Sequence, residues 1–216
     1  MNARLLGLFS GFPAHHFTDE IAEVLQKNIT ERGKLVFISA WPDEYTRNDE
    51  DSDGMYEMFA ERGMAFTKHY VIDQRTSATE AVKLVREADC IFLMGGDPIR
   101  QIKLIRKLGL VPELEKSQAV ILGVSAGSMN LGKYVAEIWD TKAFYEGIGL
   151  TDITIKAHYE EGEWFLPVLK DLSREHPIIA MEDESAIFLQ NDEKSLIGRM
   201  YLVDKGEVTA LNKNVC

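Results

Sequence analysis

The sequence predicts an α/β protein, with a mostly parallel doubly wound sheet, helices on both faces and a C-terminal antiparallel extension. Three observations carry that prediction. Short unbroken apolar runs (LLGLF, KLVFIS, CIFLM, AVIL) recur along the chain with amphipathic stretches between them. Runs without alternation suit strands covered on both faces, and helix-length spacers suit parallel crossovers. The last quarter instead reads as strands in direct succession, joined by NDEK and DKG turns, which is an antiparallel signature.

The elements follow in order. Leu5–Phe9 is the first strand. Phe17–Ile29 has apolar residues at helical spacing, with Thr18 and Asp19 at hand as caps. Lys34–Ser39 is the second strand, Met55–Met64 a short helix, Lys68–Ile72 a strand and Ser77–Glu87 a helix. Cys90–Met94 is a strand that ends in Gly95-Gly96-Asp97-Pro98. The helix Pro98–Leu108 follows, with proline at its first turn. A short helix near Pro112–Lys116 precedes the apolar run Ala119–Leu122 and the helix after it. Beyond these, Thr151–Ala157 alternates like a half-exposed strand, Glu163–Arg174 reads as a helix and Pro177–Glu182 as a strand. Ser185–Gln190, Ser195–Val203 and Glu207–Leu211 are the closing strands, expected at the edge of the parallel sheet. Without repeats, low-complexity tracts or a dividing linker, residues 1–216 are expected to form a single domain.

Composition excludes several classes. At 216 residues and 45% apolar content the chain can fill a real core, and its net charge is −11. That acidic balance offers no basic surplus to displace phosphate counterions, so nucleic acid is not an expected partner. No stretch reaches membrane-spanning length, and MNARLLGLFSGF reads as a first strand rather than a signal peptide. Cys90 and Cys216 lack metal-type spacing, so no metal is expected and a reducing, cytoplasmic setting is the simpler reading. No cofactor is expected either, because G-x-G-x-x-G and Walker patterns are absent. Asp49–Gly54 matches the first half of a calcium loop, but the closing twelfth position is Ala60. A solvated surface loop is the expectation there.

The chemistry centres on AVILGVSAGSMN. The apolar run Ala119–Leu122 leads straight into Gly123-Val124-Ser125-Ala126-Gly127, a G-x-S-x-G turn. A serine on a tight strand-to-helix turn projects its hydroxyl off the sheet edge, and the small neighbours let backbone pass close by. The following amide, Ala126 N–H, faces any developing oxyanion, and the Gly95-Gly96 turn supplies a second donor at Gly96. A nucleophilic serine needs a base. Of five histidines, His158 is best placed, with His15 and His16 in reserve. His69 begins a strand and so falls at the opposite sheet edge, and His176 looks like a helix-end residue. The base needs an orienting carboxylate, for which Asp183, ending the run IIAMED, competes with Asp140.

FLMGGDPIRQIKLI, GVSAGSMNLG and KAHYEEG, in that order, resemble the peptidase E family of serine peptidases, whose named member is an aspartyl dipeptidase. The likeness runs over nearly the whole chain. It implies a fold like that of class I glutamine amidotransferases, with serine in place of their cysteine. It implies Ser125 as nucleophile and His158 as base. Asp183 and Asp140 both fall where family members carry acidic site residues, Asp183 being favoured as the direct partner and Asp140 as support. The stretch after the histidine departs from the aspartyl enzyme's Arg- and Lys-rich pattern. Here Tyr159–Trp164 is acidic and aromatic, which argues against an aspartyl side chain and for a free α-amino group or a basic residue. The expectation is a cytoplasmic serine peptidase cleaving short peptides through an acyl-enzyme. An esterase or amidase on the same site, and a non-catalytic small-molecule binder, are the alternatives.

Overall fold

The structure, a computed structural model, describes residues 4–191 and 193–211. Cys216 and the first residues of the N-terminal run lie outside them, as does Asp192 of the NDEK turn. Its elements in chain order are β1 (Leu6–Phe9), α1 (Asp19–Asn28), β2 (Lys34–Ala40), α2 (Tyr45–Glu61), β3 (Lys68–Ile72), α3 (Ala78–Arg86) and β4 (Cys90–Gly96). Then come α4 (Pro98–Lys107), α5 (Val111–Lys116), β5 (Val120–Val124), α6 (Ala126–Leu131), β6 (Tyr134–Glu137), β7 (Ala143–Glu146) and β8 (Ile155–Lys156). The last are α7 (Leu166–Leu172), β9 (Ile178–Met181), β10 (Ala186–Gln190), β11 (Glu193–Ile197), β12 (Met200–Asp204) and β13 (Glu207–Leu211).

A seven-stranded sheet in the order β11-β10-β1-β5-β4-β2-β3 forms the centre. From β1 to β3 all pairings are parallel, and β10 and β11 add antiparallel strands beside β1. The apolar runs are buried on both faces, as continuous patterning requires. Ile38, Ile91, Leu93 and Ile121 point into one core layer, and Phe9, Phe37, Phe92 and Leu122 into the other. Asp97 caps α4 by accepting the Ile99 and Arg100 amides, with Pro98 at the first turn. Thr18 stands at the N-cap of α1 but makes no side-chain cap bond.

The antiparallel extension divides in two. The expected strand Ser195–Val203 is broken at Gly198, whose φ is +82° and where a Cβ would fall 2.7 Å from Ser185 Cα. After the break, β12 leaves the main sheet and enters a four-stranded sheet, β13-β12-β9-β8. A third core of Ile178, Ala180, Val203, Leu169 and Tyr159 lies under that sheet and α7. Thr151–Ala157 contributes only two ladder residues to it, because Ile155 and Lys156 alone pair with β9. The hydroxyls of Thr151 and Thr154 bond backbone instead. The β6–β7 hairpin was not foreseen.

Asp49–Gly54 is also different from expectation. It lies inside the 17-residue helix α2 and not in a loop. Three of its acidic side chains have partners on the helix or from β3 onward: Arg47 pairs with Asp51 at 3.4 Å, Arg75 with Asp49 at 2.5 Å, and His69 Nε2 lies 2.8 Å from Asp53 Oδ1. Those pairs offset the intrinsic loop preference of Asp, Ser and Gly. A helical backbone cannot wrap a cation as a calcium loop does. Among the described residues no helix is long and apolar enough to cross a membrane.

Candidate active site

Three neighbouring parallel strands deliver their C-terminal ends to one place. β5 ends at Ser125, β4 ends at Gly95-Gly96, and β1 runs into Ser10-Gly11. Open α/β sheets bind ligands at this edge. Ser125 has φ 52° and ψ −114°, a strained backbone at the tight turn from β5 into α6. The turn is locked from below. Ser128 Oγ accepts the Phe9 amide at 2.8 Å and also contacts the Gly123 carbonyl, which ties α6 to β1 and β5. A Cβ on Gly127 would lie 2.1 Å from the Leu93 carbonyl oxygen, so the helix start rests directly on β4.

The second sheet brings the partners. His158 follows β8 and Asp183 follows β9, and these two strands are parallel neighbours. His158 Nε2 is 2.8 Å from Ser125 Oγ, and its Nδ1 is 2.7 Å from Asp183 Oδ1. Ser10 joins the two sheets at this point. Its hydroxyl accepts the His158 amide at 2.8 Å and donates to the Met181 carbonyl at 2.9 Å, with Asp183 Oδ1 at 3.3 Å. Gly11 leaves room for the pair, since a Cβ there would sit 2.4 Å from Asp183 Oδ1 and 2.6 Å from His158 Cε1. Ser10 and Gly11 went unnoticed in the sequence, although their place directly after a predicted parallel strand is the signal that marks such residues.

Asp140 does not join this group. It lies beyond β6 in a loop organised by Glu137, whose carboxylate accepts the amides of Trp139, Asp140 and Thr141 and the Thr141 hydroxyl at 2.6–3.2 Å. Burial opposes ionisation of Glu137, but these hydrogen bonds together hold its pKa down at about 2. The Asp140 carboxylate makes no hydrogen bond or ion pair among the described residues. The other histidines lie elsewhere. His69 bonds Asp53, His176 stacks on Tyr134 with ring centroids 4.2 Å apart, and His16 Nδ1 lies 3.1 Å from the Ala14 carbonyl. His15 is exposed.

Ser125, His158, Gly96 and Ala126 share a cavity of about 480 Å³ with Lys156, Glu163 and an aromatic wall of Trp139, Trp164 and Phe165. A second hollow of about 440 Å³ adjoins it across Gly96, Pro98, Met129 and Trp139. Trp41, Glu137, Asp140 and Tyr145 line the second hollow. Trp139 and Trp164 are 55% and 61% exposed, so both stand at the rim as free apolar surface. Lys156, by contrast, is 4% exposed. Its pKa is lowered to about 8 by burial, against the pull of Glu163 and Asp183.

A mostly parallel α/β sheet with a strand-end serine, a histidine and a carboxylate aligned at its C-terminal edge has the form of a hydrolase. The family follows from comparison: a profile of peptidase family S51 matches residues 6–197, and the chain belongs to that family. It is accordingly a serine-type peptidase. Among solved structures it is similar to a peptidase from an acI-B1 Actinobacterium, at TM-score 0.79 and 18% identity, over 99% of this chain and 96% of that one. It is also similar to a Listeria monocytogenes EGD-e protein assigned to peptidase E, at TM-score 0.69 and 16% identity, over 90% of this chain and 98% of that one. At these identities the likeness establishes the fold. No curated protein matches the chain significantly.

Proposed function

We propose that the chain is a serine peptidase of short peptides in which Ser125 is the nucleophile, His158 the general base and Asp183 the carboxylate that orients it. The observation that carries this reading is the continuous line Asp183 Oδ1–His158–Ser125 Oγ, with contacts of 2.7 and 2.8 Å. Ser125 Oγ attacks the scissile carbonyl while His158 Nε2 takes its proton and then gives it to the leaving amine. Asp183 holds Nδ1–H and stabilises the imidazolium. The amides of Gly96 and Ala126 receive the negative charge that develops on the carbonyl oxygen. Water, deprotonated by the same histidine, then releases the acyl group from Ser125.

Two modest hollows meeting at Gly96, in place of a long open groove, favour a substrate of a few residues. Glu163 in the cavity wall, preceded in the chain by Glu160 and Glu161, favours a free α-ammonium or a basic side chain over an aspartyl one. Residues 1–216 are taken as one unit. A cytoplasmic setting belongs to the same reading, resting on the sparse cysteines, of which Cys90 is free and buried.

The test is labelling by a fluorophosphonate followed by a panel of dipeptides and aminoacyl esters. Ser125 is expected to carry the label, and Ser125→Ala to fold but lose turnover by about 10⁴–10⁶. A mutant retaining a tenth of normal turnover would remove Ser125 from the role. Esters cleaved while every peptide is refused would move the reading to an esterase on the same site.

A further inference from the structure

Lys156 is the group in the main cavity that the proton transfers above leave without a task. It ends β8 two residues before His158 and lines the same cavity as Ser125. Its Nζ lies over two aromatic rings, 4.6 Å from the Phe165 centroid and 5.7 Å from that of Trp139, as a cation over a ring face does. Nζ donates to the Ala157 carbonyl at 2.6 Å. An ammonium has three N–H donors. Among the described residues no second acceptor bonds it and no carboxylate reaches ion-pair distance, Glu163 and Asp183 acting on it only through space. A buried cation without a counter-ion is costly, and an apolar side chain of similar length would fill this place more stably. The position makes chemical sense once an anion enters the cavity.

We propose that Lys156 anchors a carboxylate of the peptide substrate inside the Ser125 cavity, with Trp139 and Phe165 flanking the residue that bears it. This rests on the reading of the cavity as a peptide site. Two carboxylates have the reach. The α-carboxylate of a C-terminal residue lies three bonds beyond the scissile carbonyl carbon on the leaving side, and that of an aspartyl side chain lies three bonds away on the acyl side. The first makes the enzyme select the last peptide bond of a short chain. The second gives it a preference that Glu163 in the cavity wall opposes. A protein of net charge −11 repels anions overall. A preference for acid over amide therefore has to come from groups inside the cavity, where Lys156 supplies a cation.

Binding to the Ser125→Ala protein, with and without Lys156→Met, is measured by calorimetry with two ligand pairs. Alanyl-phenylalanine against alanyl-phenylalaninamide reads the α-carboxylate, and aspartyl-phenylalaninamide against asparaginyl-phenylalaninamide reads the side chain. With Lys156 present, one acid is expected to bind at least about tenfold more tightly than its amide, as a charge-assisted hydrogen bond provides. Lys156→Met is expected to bring that ratio close to one. The pair that responds identifies the carboxylate. No acid preference in either pair with Lys156 in place, absence of binding included, overturns the proposal whether or not the variant folds. A preference that survives Lys156→Met overturns it as well. Because binding needs no turnover, failure of the wild-type protein to cleave peptides defeats the reading as a peptide-cleaving site and leaves this result standing. Peptides cleaved without any acid preference defeat the anchor alone.

Discussion

His158 sits between two hydrogen bonds of 2.7 and 2.8 Å, and its carboxylate partner is Asp183. Loss of the group that fixes the tautomer of a catalytic histidine costs about 10⁴ in turnover. Asp183→Asn is therefore expected to reduce kcat on that scale, while Asp140→Asn, which removes a carboxylate of the adjoining hollow that is not bonded to His158, changes KM more than kcat. Near-normal kcat for Asp183→Asn with collapse for Asp140→Asn reverses the two roles. Lys156 makes a separate prediction. Its folded pKa, about 8, lies below the ordinary 10.5, so between those values the unfolded chain binds more protons and stability rises with pH. Lys156→Met is thus expected to be more stable than the parent at pH 7, with the gap narrowing as pH climbs from about 8 toward 10.5. Urea midpoints of the two proteins across that range measure it. A gap constant with pH shows that Lys156 is not held at a depressed pKa.

At the scale of elements, the site depends on how closely α6 lies on β4. The Leu93 carbonyl oxygen, carbonyl carbon and Cβ would stand 2.1, 2.6 and 2.7 Å from a Cβ on Gly127. Two of those atoms are backbone of a central strand and cannot swing aside. Gly127→Ala is expected to destabilise the fold by about 1–3 kcal/mol or more, and to impair turnover by tilting the elbow. Gly54→Ala is the contrast. It lies within α2 with nothing inside 4 Å of the added carbon, and is expected to stabilise by about 0.5–1 kcal/mol. Chemical denaturation of both variants decides the matter. Equal effects would mean that the contact between α6 and β4 yields freely.

Across the whole molecule, 35 acidic side chains against 24 basic ones set up a field that draws in cations. Glu163 carries that sign to the cavity wall, with exposed Glu160 and Glu161 just before it in the chain, while Lys156 lies inside the cavity. A zwitterionic short peptide suits such a division, with its ammonium toward Glu163 and its carboxylate inward. Dipeptides with a lysine side chain are expected to show higher kcat/KM than neutral counterparts at low ionic strength. That advantage should shrink as salt rises from about 0.01 M to about 0.15 M, where the screening length falls from about 30 Å to about 8 Å. A ratio indifferent to salt would assign the preference to direct contacts instead.

The sequence by itself determined the parallel core and the place of the elbow, because both rest on local information. Unbroken apolar runs such as Cys90–Met94 specify two-sided burial, and G-x-S-x-G at Gly123–Gly127 specifies the turn that follows one of them. Local information misled where pairing partners decide. Asp49–Gly54 is helical within α2, and of the partners of its acidic side chains, Arg47, His69 and Arg75, two lie outside that helix. Ser195–Val203 reads as one strand yet serves two sheets, since the turn at Gly198 depends on Ser185 lying against it. The choice between Asp183 and Asp140 was of the same kind. Both are acidic, near an element end and far from His158 in sequence. Only the parallel pairing of β8 with β9, with Ser10 clasping the two sheets, brings Asp183 to the imidazole and leaves Asp140 beside Glu137.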